Sequence, residues 1–365
     1  MDSGPEIVVV GAGVVGLSIA LHLADRGASV RVVERTGIGA GASGVQPGGV
    51  RQQWGTRINC VLARESIGFY AEARERLRMR VDPGLRRCGY LFLAHSEAAL
   101  NVMRTNVRLQ NELGIPSRVV AAAEAAELAP GLDGASVVGA TWCAEDGYFD
   151  RPQSIVEALG ALADVTLDHV IAVKDDGGAS LARGGDVDAE TVIVAAGVDT
   201  PDLLPELPIR AEPRFLFFSE PVRERLLEPL VVSLERRFAA KQLADGRLLA
   251  SDLGAVGAPE TGRERWRGNV KRSLEELLPR LVHVALPTLV EGVYDMTPDG
   301  QPILGRVRDR VWVAAGFSGH GFMLAPAVGR ILAEAVLEGR EDEALRVLDP
   351  GRFAEGRLVP EPQAV

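Results

Sequence analysis

Gly11, Gly13 and Gly16 form a G-x-G-x-x-G turn, and Glu34 follows roughly twenty residues on. This set suits a dinucleotide. Gly11 permits a tight turn out of a strand, Gly13 lets a pyrophosphate approach bare backbone, and Gly16 allows close helix–strand packing. A helix N-terminus offers free N–H groups and partial positive charge to phosphate. Glu34 can accept hydrogen bonds from a ribose diol and would repel a 2′-phosphate. The group is FAD or NAD on these residues alone. Cys60, Cys88 and Cys143 are far apart, odd in number and form no C-x-x-C. They point to neither a metal site nor a disulfide framework, and a reducing compartment fits.

The elements around the turn agree with it. Ile7–Val10 is a short apolar run, which predicts a strand buried on both faces. Leu17 to Arg26 reads as a helix closed by Gly27, and Ser29 to Val33 as a second buried strand. Thr36 to Gly49 is too dense in glycine for an ordinary helix or strand, so backbone passes close to something flat or charged. Arg51 follows at once. Ile58 to Arg80 has helical spacing. Further strands are predicted at Gly89–Ala94, Val137–Trp142, Thr191–Ala195, Pro208–Ser219, Leu230–Ser233, Arg247–Ser251, Leu289–Met296 and Val311–Ala315. Val165–Lys174 and Ala179–Arg183 read as a pair across Asp-Asp-Gly-Gly. Helices are predicted at Ser96–Leu113, Ala121–Leu128, Arg151–Leu162, Lys271–Leu281 and Ala325–Leu337. The small residues Ala195-Ala196-Gly197 end an apolar strand as Gly11 does, which suggests one parallel sheet ending at one ligand.

At 365 residues the chain is long enough for two domains. Its net charge of −10 argues against nucleic-acid binding through a general positive field. The arginine-rich stretches at 74–87 and 263–272 read as solvated helix faces. No apolar run approaches the ~18 residues of a membrane helix. Asp2 and Glu6 stand where a signal peptide would carry Lys or Arg, so a cytoplasmic location is expected.

Taken in order, Val8 to Glu34, Ala42-Ser43-Gly44, Gly48-Gly49-Val50-Arg51, Tyr294 to Gly300 and Gly316 to Met323 resemble the D-amino acid oxidase superfamily. Within it the chain is most similar to glycine oxidase, sarcosine oxidase and the β-subunit type of L-proline dehydrogenase. The resemblance implies FAD rather than NAD, because a nicotinamide enzyme has no need of Gly316–Met323 returning to the same ligand. It implies that Gly11, Gly13, Val14, Val15 and Gly16 hold the pyrophosphate and Glu34 the adenosine ribose. Arg35, Ala42 and Ser43 would line the adenosine and phosphate end, and Val170 would meet the adenine. Ala196 and Gly197 would pass the pyrophosphate. Gln46, Gly48, Gly49 and Arg51 would approach the flavin ring and its side chain. Gly319, His320, Gly321, Phe322 and Met323 would wrap its pyrimidine end.

The fold implied is α/β, a discontinuous Rossmann-like FAD-binding domain with a second α+β substrate domain on a mostly antiparallel sheet. Segments 1–84, 150–204 and 297–350 would form the first, 85–149 and 205–296 the second, and 351–365 a C-terminal tail. The reaction implied is oxidation of a C–N bond. A neutral amine or amino acid gives hydride from its α-carbon to flavin N5, and the imine hydrolyses. Arg51 is the candidate cation for the charge left on the flavin. His320 is either catalytic or a hydrogen-bonding support for its loop. O2 or another acceptor takes the electrons.

The chain departs from monomeric sarcosine oxidase at three positions and from the family's usual pattern at a fourth. Gly292 stands where that relative tethers its flavin through cysteine, so non-covalent FAD is expected. Trp54 and Met323 replace the two cations that hold the substrate carboxylate. Asp199 stands where the family often has Trp. Arg237 and Lys241, just beyond a predicted strand, are candidate substitutes; Lys241 would alternatively lie near flavin N5 and assist oxygen, and a surface charge is the plainer reading of each. Tyr294 would wall the substrate pocket. Three functions stay open: an oxidoreductase alone or as a homo-oligomer, the FAD-carrying subunit of a multi-chain amino-acid dehydrogenase, and a flavin-binding module without catalysis. Oxidase and dehydrogenase are not separable on these residues.

Overall fold

Ile7–Val10 is buried on both faces because it lies inside a six-stranded sheet. The strand order is Ile303–Arg308, Val311–Ala315, Thr191–Val194, Ile7–Val10, Val30–Glu34, Val165–Leu167. All neighbours run parallel except Ile303–Arg308, which is antiparallel. Parallel strands put their C-terminal ends along one edge. Gly11, Ala195 and Gly316 therefore leave the sheet side by side, where open α/β sheets take their ligands. The structure is a computed structural model and describes residues 6–363. Asp2, used in the leader argument, lies outside the described residues.

Helices Val14–Ala24 and Gly321–Glu338 pack against each other on this sheet, with Arg57–Ala71 beyond. Their contact is close because Gly329 lies on Ser18, where a Cβ would fall 2.6 Å from Ser18 Oγ. Pro326 sits inside the closing helix and cannot donate to Phe322. Tyr70 Oη donates to the Phe322 carbonyl instead, at 2.5 Å.

A second, eight-stranded sheet has the order Thr288–Met296, Arg210–Phe218, Leu248–Asp252, Phe238–Gln242, Leu230–Ser233, Tyr90–Ala94, Gly139–Cys143, Arg118–Ala121. It is antiparallel apart from the pairing of Leu230–Ser233 with Tyr90–Ala94. One face buries Phe215, Phe217, Phe238 and Leu248 under helix Pro259–Leu277, and Phe215 stacks on Trp266 at 4.1 Å. The opposite face carries Tyr90, Phe92, Lys241 and Leu249 toward the first sheet. Its strands come from segments 85–149 and 205–296. A three-stranded sheet of Gly49–Val50, Gly147–Phe149 and Leu85–Arg86 joins the two halves.

Several elements differ from the sequence reading. Val165–Lys174 is two strands: Val165–Leu167 extends the parallel sheet, and only Val170–Val173 pairs with Ala179–Leu181. The helix expected over Ile58–Arg80 ends at Ala71, with one further turn at Ala73–Arg76. The helix expected at Lys271 begins at Pro259, where proline suits a first turn. Strand Phe238–Gln242 has no counterpart in the sequence reading. The stretch read as a tail is built in, with Arg352 enclosed in a bidentate pair to Asp299 at 2.9 and 3.0 Å.

Candidate active site

The glycine turn has the geometry its residue types require. Gly11 has φ +106°, and a Cβ there would lie 2.5 Å from the Ala195 carbonyl. A Cβ on Gly16 would lie 2.1 Å from the Gly11 carbonyl. Helix Val14–Ala24 starts at Gly13 with no side-chain cap and no acid in its first turn. Ser43, in the short helix Ala42–Val45, accepts the Val14 N–H at 3.0 Å, and Val15 is the next residue in that first turn. Helix Gly321–Glu338 likewise starts at His320 without a side-chain cap or an acid. A Cβ on Gly321 would lie 3.5 Å from Val15 Cγ2, so the two helix N-termini are neighbours. Two aligned sets of helix N–H groups at one place suit a polyanionic ligand.

Glu34 ends its strand and accepts the N–H groups of Ala12 and Thr36 at 2.8 Å and of Gly37 at 3.3 Å. Burial works to raise its pKa, but these N–H donors outweigh it and hold the carboxyl below the usual range. Arg35 pairs with Asp199 at 2.8 Å on the exposed side, so the residue at the unusual position is its partner. Ala196 and Gly197 follow Thr191–Val194, Gly197 with φ +55°. Val170 is buried at the start of the small sheet that flanks this end.

The Gln46–Arg51 loop and the Gly319–Met323 loop face the antiparallel sheet. A Cβ on Gly49 would lie 2.0 Å from Tyr90 Oη and 3.3 Å from Met323 Cε. Gly48, with φ +80°, lies on Pro152. A Cβ on Gly319 would lie 2.1 Å from the Tyr294 ring. His320 Nε2 and Gln46 Nε2 are buried without a protein partner. A glycine cradle with unpartnered polar atoms beside two helix N-termini fits a flat, polar-edged cofactor with a pyrophosphate.

Arg51 is 2% exposed. Its guanidinium donates to the carbonyls of Gln53 and of Gln363, the latter at 2.6 Å, and lies 3.5 Å from the centroid of Trp54. Among the described residues no carboxylate pairs with it directly. Burial lowers its pKa, opposed by Tyr90, Glu361 and Asp146. Trp54 is fully enclosed and meets the His320 ring edge-on at 4.6 Å. Burial and the Arg51 charge push His320 down to about 3. It is neutral at physiological pH, which suits a hydrogen-bonding residue better than a cation. Asp146 accepts the Gln52 N–H at 2.7 Å and Gln53 Nε2 at 3.0 Å, and burial raises it to about 6. Neither Asp146 nor Gln363 was legible in the sequence, since nothing in their neighbours marks them.

The two candidate substrate cations part company. Arg237 is exposed in the turn before Phe238–Gln242, with φ +52°, and is not brought to the site. Lys241 lies within that strand and is 2% exposed, so its reading as a surface charge is corrected. Its Nζ donates to the Pro47 carbonyl and lies 4.2 Å from the Tyr148 ring centroid. Burial lowers its pKa to about 7, and Asp150 opposes this. Tyr294 is in strand Thr288–Met296, with the Arg214 guanidinium 5.1 Å from its ring centroid.

A family model described as DAO, FAD dependent oxidoreductase, matches residues 6–335. The chain belongs to this family. A glycine oxidase of Pseudomonas aeruginosa is 30% identical, over 97% of this chain and 99% of that protein. A 4-methylaminobutanoate oxidase (formaldehyde-forming) of Paenarthrobacter nicotinovorans is 25% identical over 95% of this chain, which spans 45% of that longer protein. Among solved structures, L-proline dehydrogenase from P. horikoshii superposes with a TM-score of 0.91 at 27% identity, covering 98% of this chain and 100% of that one. The α/β fold and FAD dependence expected from the sequence are those of the family. Among the described residues no helix is long and apolar enough to cross a membrane.

Proposed function

We propose that the chain oxidises the C–N bond of an amine or amino acid, secondary amines included, with FAD held non-covalently. The observation that carries this is the convergence of the Gly11 turn, the Gln46–Arg51 loop and the Gly319–Met323 loop under one face of the antiparallel sheet. Gly11 to Gly16, Ser43 and Glu34 would hold the dinucleotide, and Gly48, Gly49 and Gly319 to Met323 the ring. FAD supplies the hydride acceptor. Arg51 keeps a fixed positive charge in a water-poor site, where a charge is worth more than in bulk water. Neutral His320 and the start of the closing helix supply hydrogen-bond donors without a second cation. Tyr294 and Tyr90 wall the space in which the amine is oriented. Lys241, whose Nζ donates to the Pro47 carbonyl in the Gln46–Gly49 loop, serves a substrate carboxylate. Gly292 lies against Val45 and offers no nucleophile for a tether.

The test is anaerobic mixing of the FAD-loaded protein with a panel of primary and secondary amines and amino acids, followed by air. Bleaching of the flavin by at least one amine is expected. Fast recovery with peroxide then defines an oxidase, and a lasting bleach a dehydrogenase. A protein that cannot be loaded with FAD, or one that no amine bleaches, overturns the proposal.

A further inference from the structure

The stretch beyond Arg352 makes a set of contacts that the reaction itself does not explain. Asp299 receives the Val359 N–H on Oδ2 at 3.2 Å, and its carbonyl receives the Glu361 N–H at 3.2 Å. Glu361 is buried. Its carboxylate accepts the Gly55 N–H at 2.8 Å, the Thr56 N–H at 3.1 Å, Thr56 Oγ1 at 2.6 Å and Asn59 Nδ2 at 3.1 Å. Helix Arg57–Ala71 has no cap from its own N-cap residue Thr56, so Glu361 caps it from 305 residues away. Pro362 covers Gly55, where a Cβ would fall 2.3 Å from its ring. The Gln363 carbonyl then accepts from Arg51 Nη2 at 2.6 Å, and its N–H returns to Glu361 at 2.9 Å.

We propose that Val359–Gln363 is a positioning strap for Arg51, with Glu361 as its anchor. The proposal rests on Arg51 serving the bound FAD. Arg51 hangs between two carbonyls, one in its own loop and one in the strap, with no direct carboxylate partner among the described residues. A guanidinium held only by neutral acceptors keeps its charge available to a ligand. Its direction then depends on where those acceptors sit. Glu361 fixes both the residues after Arg51, at Gly55 and Thr56, and the residue that supplies the acceptor, at Gln363. Gln301 Nε2 donates to Thr56 Oγ1 at 3.2 Å, tying the turn after Tyr294 into the same knot.

The FAD-loaded protein tests this with Glu361→Ala and Glu361→Gln, each in the wild-type and in the Arg51→Lys background. Trypsin cleavage after Arg51, read by mass spectrometry, reports the strap without reference to catalysis. Glu361→Ala should raise that cleavage about tenfold, and Glu361→Gln, which keeps an acceptor oxygen, by less. The FAD dissociation constant and kcat should each worsen about tenfold in Glu361→Ala with KM nearly unmoved. In the Arg51→Lys background the same change should cost little more. Unchanged cleavage at Arg51 overturns the strap. Equal losses in both backgrounds overturn action through Arg51 and leave Glu361 a helix cap alone. Arg51→Lys with unaltered kcat and FAD affinity would instead refute the role assigned to Arg51. If Glu361→Ala does not fold, Glu361→Gln and the cleavage assay decide.

Discussion

Arg51 and Lys241 show how far residue type alone carries. Its place after a glycine-rich loop marks Arg51, a buried cation whose partners among the described residues are carbonyls. Arg51→Met keeps an unbranched apolar stem and removes the charged guanidinium that lies on Trp54. Its kcat in the anaerobic half-reaction should fall about 100-fold, the size seen when one preorganised electrostatic partner is lost. Stopped-flow bleaching checks it. Lys241 was harder to read. Phe-Ala-Ala-Lys-Gln lacks the β-branched alternation of a strand, so its pattern predicts a solvent-facing lysine outside one. Pairing on both sides, with Leu230–Ser233 and Leu248–Asp252, overrides that weak local preference. With its pKa brought down to about 7, Lys241 is charged below neutrality and neutral above. A carboxylate substrate should therefore bind more weakly as pH rises through about 7, seen as a rising KM. Lys241→Met should abolish that limb, and an amine lacking a carboxylate should lack it already in the wild type. A limb that persists in Lys241→Met assigns it elsewhere.

The elements that position the cofactor loops were legible wherever their hydrophobic pattern was strong. Ile7–Val10, Thr191–Val194 and Val311–Ala315 are apolar throughout and lie adjacent in one parallel sheet. Short strands such as Leu85–Arg86 and Gly147–Phe149 have no pattern to read, and only pairing with each other and with Gly49–Val50 makes them strands. The closing helix is expected from Ala325, directly before its proline, yet it begins at Gly321. Its first turn survives Pro326 because Tyr70 Oη supplies the bond that the proline cannot. Tyr70 also stacks on Phe322 at 5.0 Å. Tyr70→Phe preserves the stack and strands the Phe322 carbonyl in the core. A loss of about 1–3 kcal/mol is expected, the cost of one buried unsatisfied group. The helix start that carries Gly321 and Phe322 should loosen with it, raising the FAD dissociation constant. Urea unfolding and FAD fluorescence measure the two effects separately.

At the scale of the molecule, the parts that meet at the site are far apart in the chain and are tied by a few buried polar groups. Asp299 and Arg352 form one such tie, with both side chains fully enclosed. Asp299 sits in the turn that follows the Tyr294 strand, and it also holds Val359 at the root of the strap. Arg352→Met fills similar volume but leaves a carboxylate in the core without its cation. Breaking a buried pair from one side costs about 3–5 kcal/mol. The pH dependence follows from the direction of the shift. Burial tends to raise the Asp299 pKa, but the hydrogen bonds and charge of Arg352 outweigh it and hold it below the usual value. A depressed carboxyl stabilises the fold above its unfolded pKa of roughly 3.9 and loses that contribution as pH falls through its folded value. In Arg352→Met the lost cation reverses the balance, so protonation of Asp299 relieves the fold. The stability gap between wild type and Arg352→Met should thus be full at pH 7, begin to narrow as the pH falls through the raised Asp299 value of the variant, and narrow further below about 4 as wild type loses its own contribution. Urea midpoints at pH 7, 5 and 3.5 measure it. A gap that stays constant with pH would mean that the loss at Arg352 is one of packing over Phe353 rather than of the ion pair.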